Sequence, residues 1–219
     1  MNLQPSSSLR HKRGFTLVEL LLVIGIIAIL LTAGGISVFK SIAGNKLNAT
    51  GDIFYNKLVA AQQAAIAENK AMEIRFYQFQ EKDTNNDAAA YQLYRIELDT
   101  NTGTETPVQV AAPVYLNSGI VIANDSTLSS LANDSSLKGA APDTLRGAVN
   151  NTSPYWSFRF LPDGTTTLDT STPNKWTLTL VKLESYKATG VGGNTPASPS
   201  NFYTIQVDPF TGRVRSFRP

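Results

Sequence analysis

A chain of 219 residues with 42% hydrophobic content has room for one domain and an added segment, and its lack of cysteine excludes disulfides, thiolate nucleophiles and Cys-ligated zinc. Its one histidine, His11, lies close to the N-terminus, so everything after it lacks the commonest general base and the commonest metal ligand. The formal charge of +2 rests on Arg10, Lys12 and Arg13, in a stretch without acid; beyond them 16 basic residues (19 − 3) face 17 acidic ones, near −1, and no basic stripe of the kind that binds nucleic acid remains.

The first segment, Met1–Gly14, is polar, with its basic residues crowded at the end. An apolar run follows from Phe15 to Phe39. As a helix its 25 residues would rise roughly 37 Å, enough to cross a bilayer core with some tilt. Basic residues before the span hold that end in the cytoplasm and send the C-terminal body outward. The one charge inside the span is Glu19. Such a carboxylate costs about 2.5–3.5 kcal/mol at mid-helix and less near an end, so it calls for a partner. An uncleaved signal anchor fits the hydropathy. So does an ordinary secretory signal peptide, with Leu20–Leu31 as its apolar core and Leu31-Thr32-Ala33 as a weak cleavage site. Both leave Glu19 without a reason. Cleavage between Gly14 and Phe15 supplies one: the new amine of Phe15 lies four residues before Glu19 on the same helical face, and the amine of a neighbouring subunit would serve equally. A carboxylate in the first turns also suits the positive end of the helix dipole.

The run Lys12-Arg13-Gly14-Phe15-Thr16-Leu17-Val18-Glu19-Leu20-Leu21 resembles the cleavage and methylation motif of type IV prepilins and type II secretion pseudopilins. The resemblance implies cleavage at Gly14–Phe15 by an aspartic prepilin peptidase and N-methylation of Phe15. It also implies that Glu19 guides a new subunit into the filament by pairing with a neighbour's N-terminus. One departure is visible: many major pilins carry Pro at mature position 22, where Ile36 stands here, and Gly34-Gly35 just before it offers another way to weaken the helix.

Past Phe39 the pattern turns amphipathic. Ile53, Phe54, Leu58, Ala61, Ala65 and Ile66 recur every three to four residues, with Asn56, Lys57, Gln62, Gln63, Glu68 and Asn69 between them. The spacing predicts one long helix from about Phe15 to about Asn69, loosened at Gly34-Gly35, Gly44 and Gly51, its second half packing an apolar stripe on a sheet. From Met72 onward the pattern is that of strands: Met72–Tyr77, Tyr91–Leu98, Val114–Leu116, Ile120–Ile122, Tyr155–Phe160, Trp176–Val181, Phe202–Val207 and Arg213–Phe217. Leu161–Thr165 and Asp208–Gly212 read as hairpin loops, Asn124–Thr152 as a long insertion or loop, and Gly190–Ser200 as a mobile hairpin tip. One long helix and then an antiparallel sheet is an α+β plan. The body resembles minor pseudopilins of the GspH/FimT type over Leu58–Asn69, Phe158–Gly164 and Ile205–Val214, and its layout also suits the Verru_Chthon cassette protein D group.

Three other constellations carry less. Asp83-Thr84-Asn85-Asn86-Asp87 opens like a calcium loop, but Ala88 stands where the EF-hand needs Gly and Tyr94 where it needs its closing Glu, so it reads as a polar hairpin tip. Asn-x-Ser/Thr matches such as Asn124-Asp125-Ser126 and Asn133-Asp134-Ser135 mark surface loops at most. Tyr155, Trp156, Phe158, Phe160, Trp176, Phe202 and Tyr203 suggest a carbohydrate platform, yet alternation puts Trp156, Phe158 and Phe160 on one face, as in a sheet core. No pair of carboxylates stands out for glycoside hydrolysis.

The expected plan is therefore a leader at 1–14, a transmembrane and filament-core helix at 15–39, an amphipathic helix at 40–70 and an outer antiparallel β-domain at 71–219, in a pilin-like α+β fold. The expected role is structural: a minor pilin or pseudopilin, single-pass in the bacterial inner membrane with its body in the periplasm, then part of a filament. Its expected partners are prepilin peptidase, other subunits, an inner-membrane assembly platform and membrane lipid. No enzyme activity, metal, cofactor or nucleic-acid partner is expected. The alternative is a membrane-tethered binding module, for carbohydrate for example, outside any filament.

Overall fold

The structure, a computed structural model, describes residues 15–84, 86–188, 199 and 201–219, and at 32–44, 187 and 188 it describes the backbone alone. The chain divides into two compact units, one ending at Ala43 and the other running from Gly44 to Pro219. A single helix, α1 (Leu17–Glu68), contributes to both. In the first unit its large apolar side chains from Leu17 to Leu31 are exposed on every side, as is Phe15 before it. Among the described residues no helix is long and apolar enough to cross a membrane. The stretch expected to do so, 15–39, runs past Leu31 into residues whose side chains lie outside the description, and the predicted leader and the 190–198 tip lie outside it altogether.

In the second unit α1 becomes one-faced. Leu47, Phe54, Leu58, Ala61 and Ala65 are buried. Ile53 and Ile66, expected in the same stripe, are instead about half exposed, because each falls one residue to the side of the buried row. Gly51 does not loosen the helix: a Cβ there would meet the Tyr203 ring at 2.3 Å, so the glycine admits the ring, whose hydroxyl donates to Asp52 Oδ1 at 2.8 Å.

All the strand pairings are antiparallel, but they build two main sheets rather than the expected one. The first contains β1 (Met72–Gln80), β2 (Asp87–Leu98), β3 (Glu105–Gln109), β4 (Val114–Tyr115) and β8 (Tyr155–Phe160), in the order β3-β2-β1-β8 with β4 also on β2. The second contains β5 (Ile120–Ile122), β9 (Thr177–Lys182), β10 (Phe202–Val207) and β11 (Val214–Phe217), in the order β11-β10-β9-β5. A short helix, α2 (Leu183–Ala188), follows β9. The main core joins the buried face of α1 to Ile74, Phe76 and Phe158 of one sheet and Leu178, Leu180 and Ile205 of the other. Phe54 meets Phe76 edge-on at 5.9 Å and Tyr91 at 4.5 Å.

The predicted insertion 124–152 is a structural cover rather than an idle loop. It contains two 3-10 turns and β6 (Asp143–Thr144), which pairs with β7 (Thr152–Ser153). Leu131, Leu145 and Ala148 are buried, and the Ser129 and Ser130 hydroxyls donate to the backbone of Thr179 and Lys175. The Asp143 end lies over the outer row of β1. There Glu73 and Arg75 are buried, and the guanidinium sits between the rings of Tyr94 and Tyr155, 4.1 and 4.5 Å from their centroids. Arg75 donates to Glu73 at 2.6 Å and to Asp143 at 2.7 Å, while Tyr77 and Tyr94 donate to the same Asp143 oxygen. Burial works to raise the Asp143 carboxyl, but hydrogen bonds from Tyr77, Arg75, Tyr94 and the Thr144 amide outweigh it and hold the group below its ordinary value.

β3 is fully exposed and ends its sheet. Val110 N donates to Leu93 O, so by alternation the amides of 106 and 108 also point inward and Pro107 takes an outward-pointing place, where it offers no N–H.

Gln62 ties α1 to two turns far away in sequence. Its Nε2 donates to Thr211 O at 2.8 Å and to Gly164 O at 3.3 Å. Gly212 has φ +62, and a Cβ on it would stand 2.4 Å from Gly164 O and 2.7 Å from Gln62 Nε2. The expected loops at 161–165 and 208–212 thus meet at one helix residue.

Residues 44–219 should fold alone, since the second unit holds its own core; a cooperative urea transition and a monomeric scattering profile would show it. In that fragment Gly212→Ala should cost about 1–3 kcal/mol, by left-handed strain and by the clash at Gln62. Gln62→Ala should cost about 1 kcal/mol, and a loss well below about 1 kcal/mol in Gly212→Ala would reject the steric argument. Asp143→Asn should also destabilise, by about 1–2 kcal/mol at neutral pH. Because the folded carboxyl is depressed, its contribution is full above the ordinary carboxylate value and is lost as pH falls through the folded one, so the gap between variant and parent should close in acid.

Candidate functional site: the start of the first helix

The first turn of α1 is built by Thr16 and Glu19. Thr16 precedes the helix as its cap residue and Glu19 is its third helical position. The Glu19 amide donates to Thr16 Oγ1 at 3.2 Å, and Glu19 Oε2 accepts from the Thr16 amide at 2.9 Å and from Thr16 Oγ1 at 3.0 Å. This is a reciprocal capping box, which satisfies two backbone donors that a helix start leaves orphaned. Phe15 and Leu20 hold the two positions of a hydrophobic staple across it.

The box explains part of what the sequence left open. Glu19 needed a partner, and it has one within its own chain, next to the bond expected to be cut. Thr16 was quoted in the motif without a role; Thr-x-x-Glu ahead of an apolar run is the signal that could have found it. All three hydrogen bonds use atoms of residues 16 and 19, so cleavage before Phe15 leaves them in place. Only one Glu19 oxygen is engaged among the described residues. A carboxylate has about four acceptor sites, so the group can cap its own helix and still receive a cation. Phe15 is 86% exposed beside it, and Gly14 lies outside the described residues.

The remaining candidates fall elsewhere. Trp176 is 1% exposed, its Nε1 donating to Asp169 O, while Trp156 is half-buried on the other sheet. The Asp83–Asp87 tip joins β1 to β2, and Asn85 within it lies outside the described residues. Thr84 donates there to Glu81. No cluster of three metal-ligating side chains occurs among the described residues.

No curated protein matches the chain. A solved structure, the minor pseudopilin EpsH from the type 2 secretion system of Vibrio cholerae, is similar over 80% of this chain and 98% of that one, at 13% identity and a TM-score of 0.39, a likeness too loose to place function. The prokaryotic N-terminal methylation motif matches residues 9–35, the segment that holds Gly14, Phe15 and the capped carboxylate. The chain thus carries a prokaryotic N-terminal methylation motif, set on the first turn of a helix whose described sides from Leu17 to Leu31 are apolar all round.

Proposed function

We propose that the chain is a structural subunit, a minor pilin or pseudopilin, of a type IV pilus or type II secretion pseudopilus. The methylation motif at residues 9–35 carries this reading. Prepilin peptidase removes residues 1–14, and Phe15 becomes the methylated N-terminus. Residues 15–39 anchor the subunit in the inner membrane and later enter the filament core, 40–70 continue into the body, and 71–219 face the periplasm. A helix apolar on every side needs lipid or other helices around it, and the exposure of Leu17 to Leu31 supports that placement. The role is assembly rather than catalysis.

In the assembled state Glu19 receives the Phe15 amine of a neighbouring subunit while Thr16 keeps the helix capped. Packing among apolar helices has little directional force, since lipid and Leu are alike in polarity, so a single charge pair sets register.

Mass spectrometry of the mature protein should show methylated Phe15 at the N-terminus; a start at Gly34 would mean an ordinary signal peptide, and intact Met1 an anchor. Substitutions at the box separate charge from capping. Glu19→Ala should be cleaved and inserted yet fail to enter sheared filaments. Glu19→Gln retains a capping side chain without charge and should keep only part of the function. Thr16→Val should speed amide exchange at Glu19 by roughly fivefold, the worth of an N-cap, and still assemble. Normal incorporation of Glu19→Ala, or failure of Thr16→Val as complete as that of Glu19→Ala, would refute the register role.

A further inference from the structure

The two sheets part at one end of the body. Along the inward row of β1, the apolar series Met72, Ile74, Phe76 gives way to Gln78 and Gln80, and on β8 the series Phe160, Phe158 ends in Trp156. Opposite them stand Asn124, just past β5, and Tyr186 of α2, and Asp87 closes the rim from the start of β2. These groups line a cleft of about 370 Å³ whose apolar wall includes Ile122 and Leu183.

Three observations say what the cleft takes. Gln78 Nε2 is fully enclosed and has no hydrogen-bond partner, an unfavourable state for an amide donor unless an acceptor arrives. No Lys or Arg occurs among the described residues that line the cleft, so none of them offers a cation to a phosphate, sulfate or carboxylate ligand. Trp156 brings a flat apolar face among amides that both donate and accept. The volume lies at the small end of ligand sites, which run from about 300 to 1,000 Å³. A neutral ring with hydroxyls around its edge and C–H bonds on its face meets all of these conditions.

We propose that this cleft binds a neutral saccharide of one or two pyranose units, stacked on Trp156, with the Gln78 side chain turning its enclosed amide toward the cleft to donate to a hydroxyl oxygen. The site belongs to the second unit and does not rest on filament assembly.

The test uses the full-length processed chain in a detergent without a sugar headgroup. Glucose, galactose, mannose, N-acetylglucosamine, lactose and cellobiose are titrated up to about 50 mM, read by tryptophan fluorescence and by saturation-transfer NMR. At least one should give a saturable change that survives Trp176→Phe. The same change should weaken by about tenfold or more in Trp156→Ala and in Gln78→Met, the latter nearly isosteric and so unlike a folding defect. Glucose 6-phosphate should bind more weakly than glucose. Absence of saturable binding by every neutral sugar, unchanged affinity in both cleft variants with circular dichroism intact, or preference for the phosphorylated sugar would overturn the assignment.

Discussion

One helix lives in two surroundings, and the rest of the structure answers to that constraint. From Leu17 to Leu31 α1 offers apolar side chains in every direction, so no single protein face can cover it. From Leu47 onward only one side is apolar, and the two sheets close over that side. The change is written in composition: Asn45, Lys46, Asn48, Asp52, Asn56 and Lys57 occupy positions that upstream hold Leu, Val and Ile. The same backbone thus serves as an apolar rod at one end and as a core element at the other, and the outer body is organised around the second use.

Within the body, the inward and outward faces of the first sheet are held by different physics. The inward face is aromatic and aliphatic, with Phe54, Phe76, Tyr91 and Phe158 in ring contact. On the outward face, burying Glu73 and Arg75 would be costly if either stood alone. The cover segment supplies Asp143, and Tyr94 and Tyr155 enclose the guanidinium. Arg159 adds a further contact to Glu73. That polar cluster orients the cover segment, because Asp143 gathers Arg75, Tyr77 and Tyr94 at a single oxygen.

What could be read from the sequence follows from the range of the interactions. The strands Tyr155–Phe160 and Phe202–Val207 stand where alternation puts them, because each carries its own period-two signal. β3 went unseen: Glu105-Thr106-Pro107-Val108-Gln109 has no buried face, and only its pairing with β2 makes it a strand. The cover at 124–152 looked like loop because anchors such as Ser129, Ser130 and Asp143 are polar and have partners 45 to 68 residues away. The division into two sheets was equally hidden, since nothing local tells β9 to pair with β5 rather than with β8. At the helix start the residues were noticed and the geometry was missed: Glu19 stood out as a lone charge, while its bond to Thr16 is a local pattern that needs no tertiary structure at all.

Pro107 has a consequence for crowded bodies. Subunits gathered along a fibre reach very high local concentrations, and an open strand is a template on which a neighbour's strand can add and go on adding. On β3 the ring of Pro107 interrupts that template at its midpoint, leaving a gap in the row of outward donors. Two bodies could then meet at their β3 edges without knitting into a continuous sheet there. In the filament proposed above, cohesion at this edge would be left to the helices, and a contact held in that way could be released one subunit at a time, where one fused through its sheets could not.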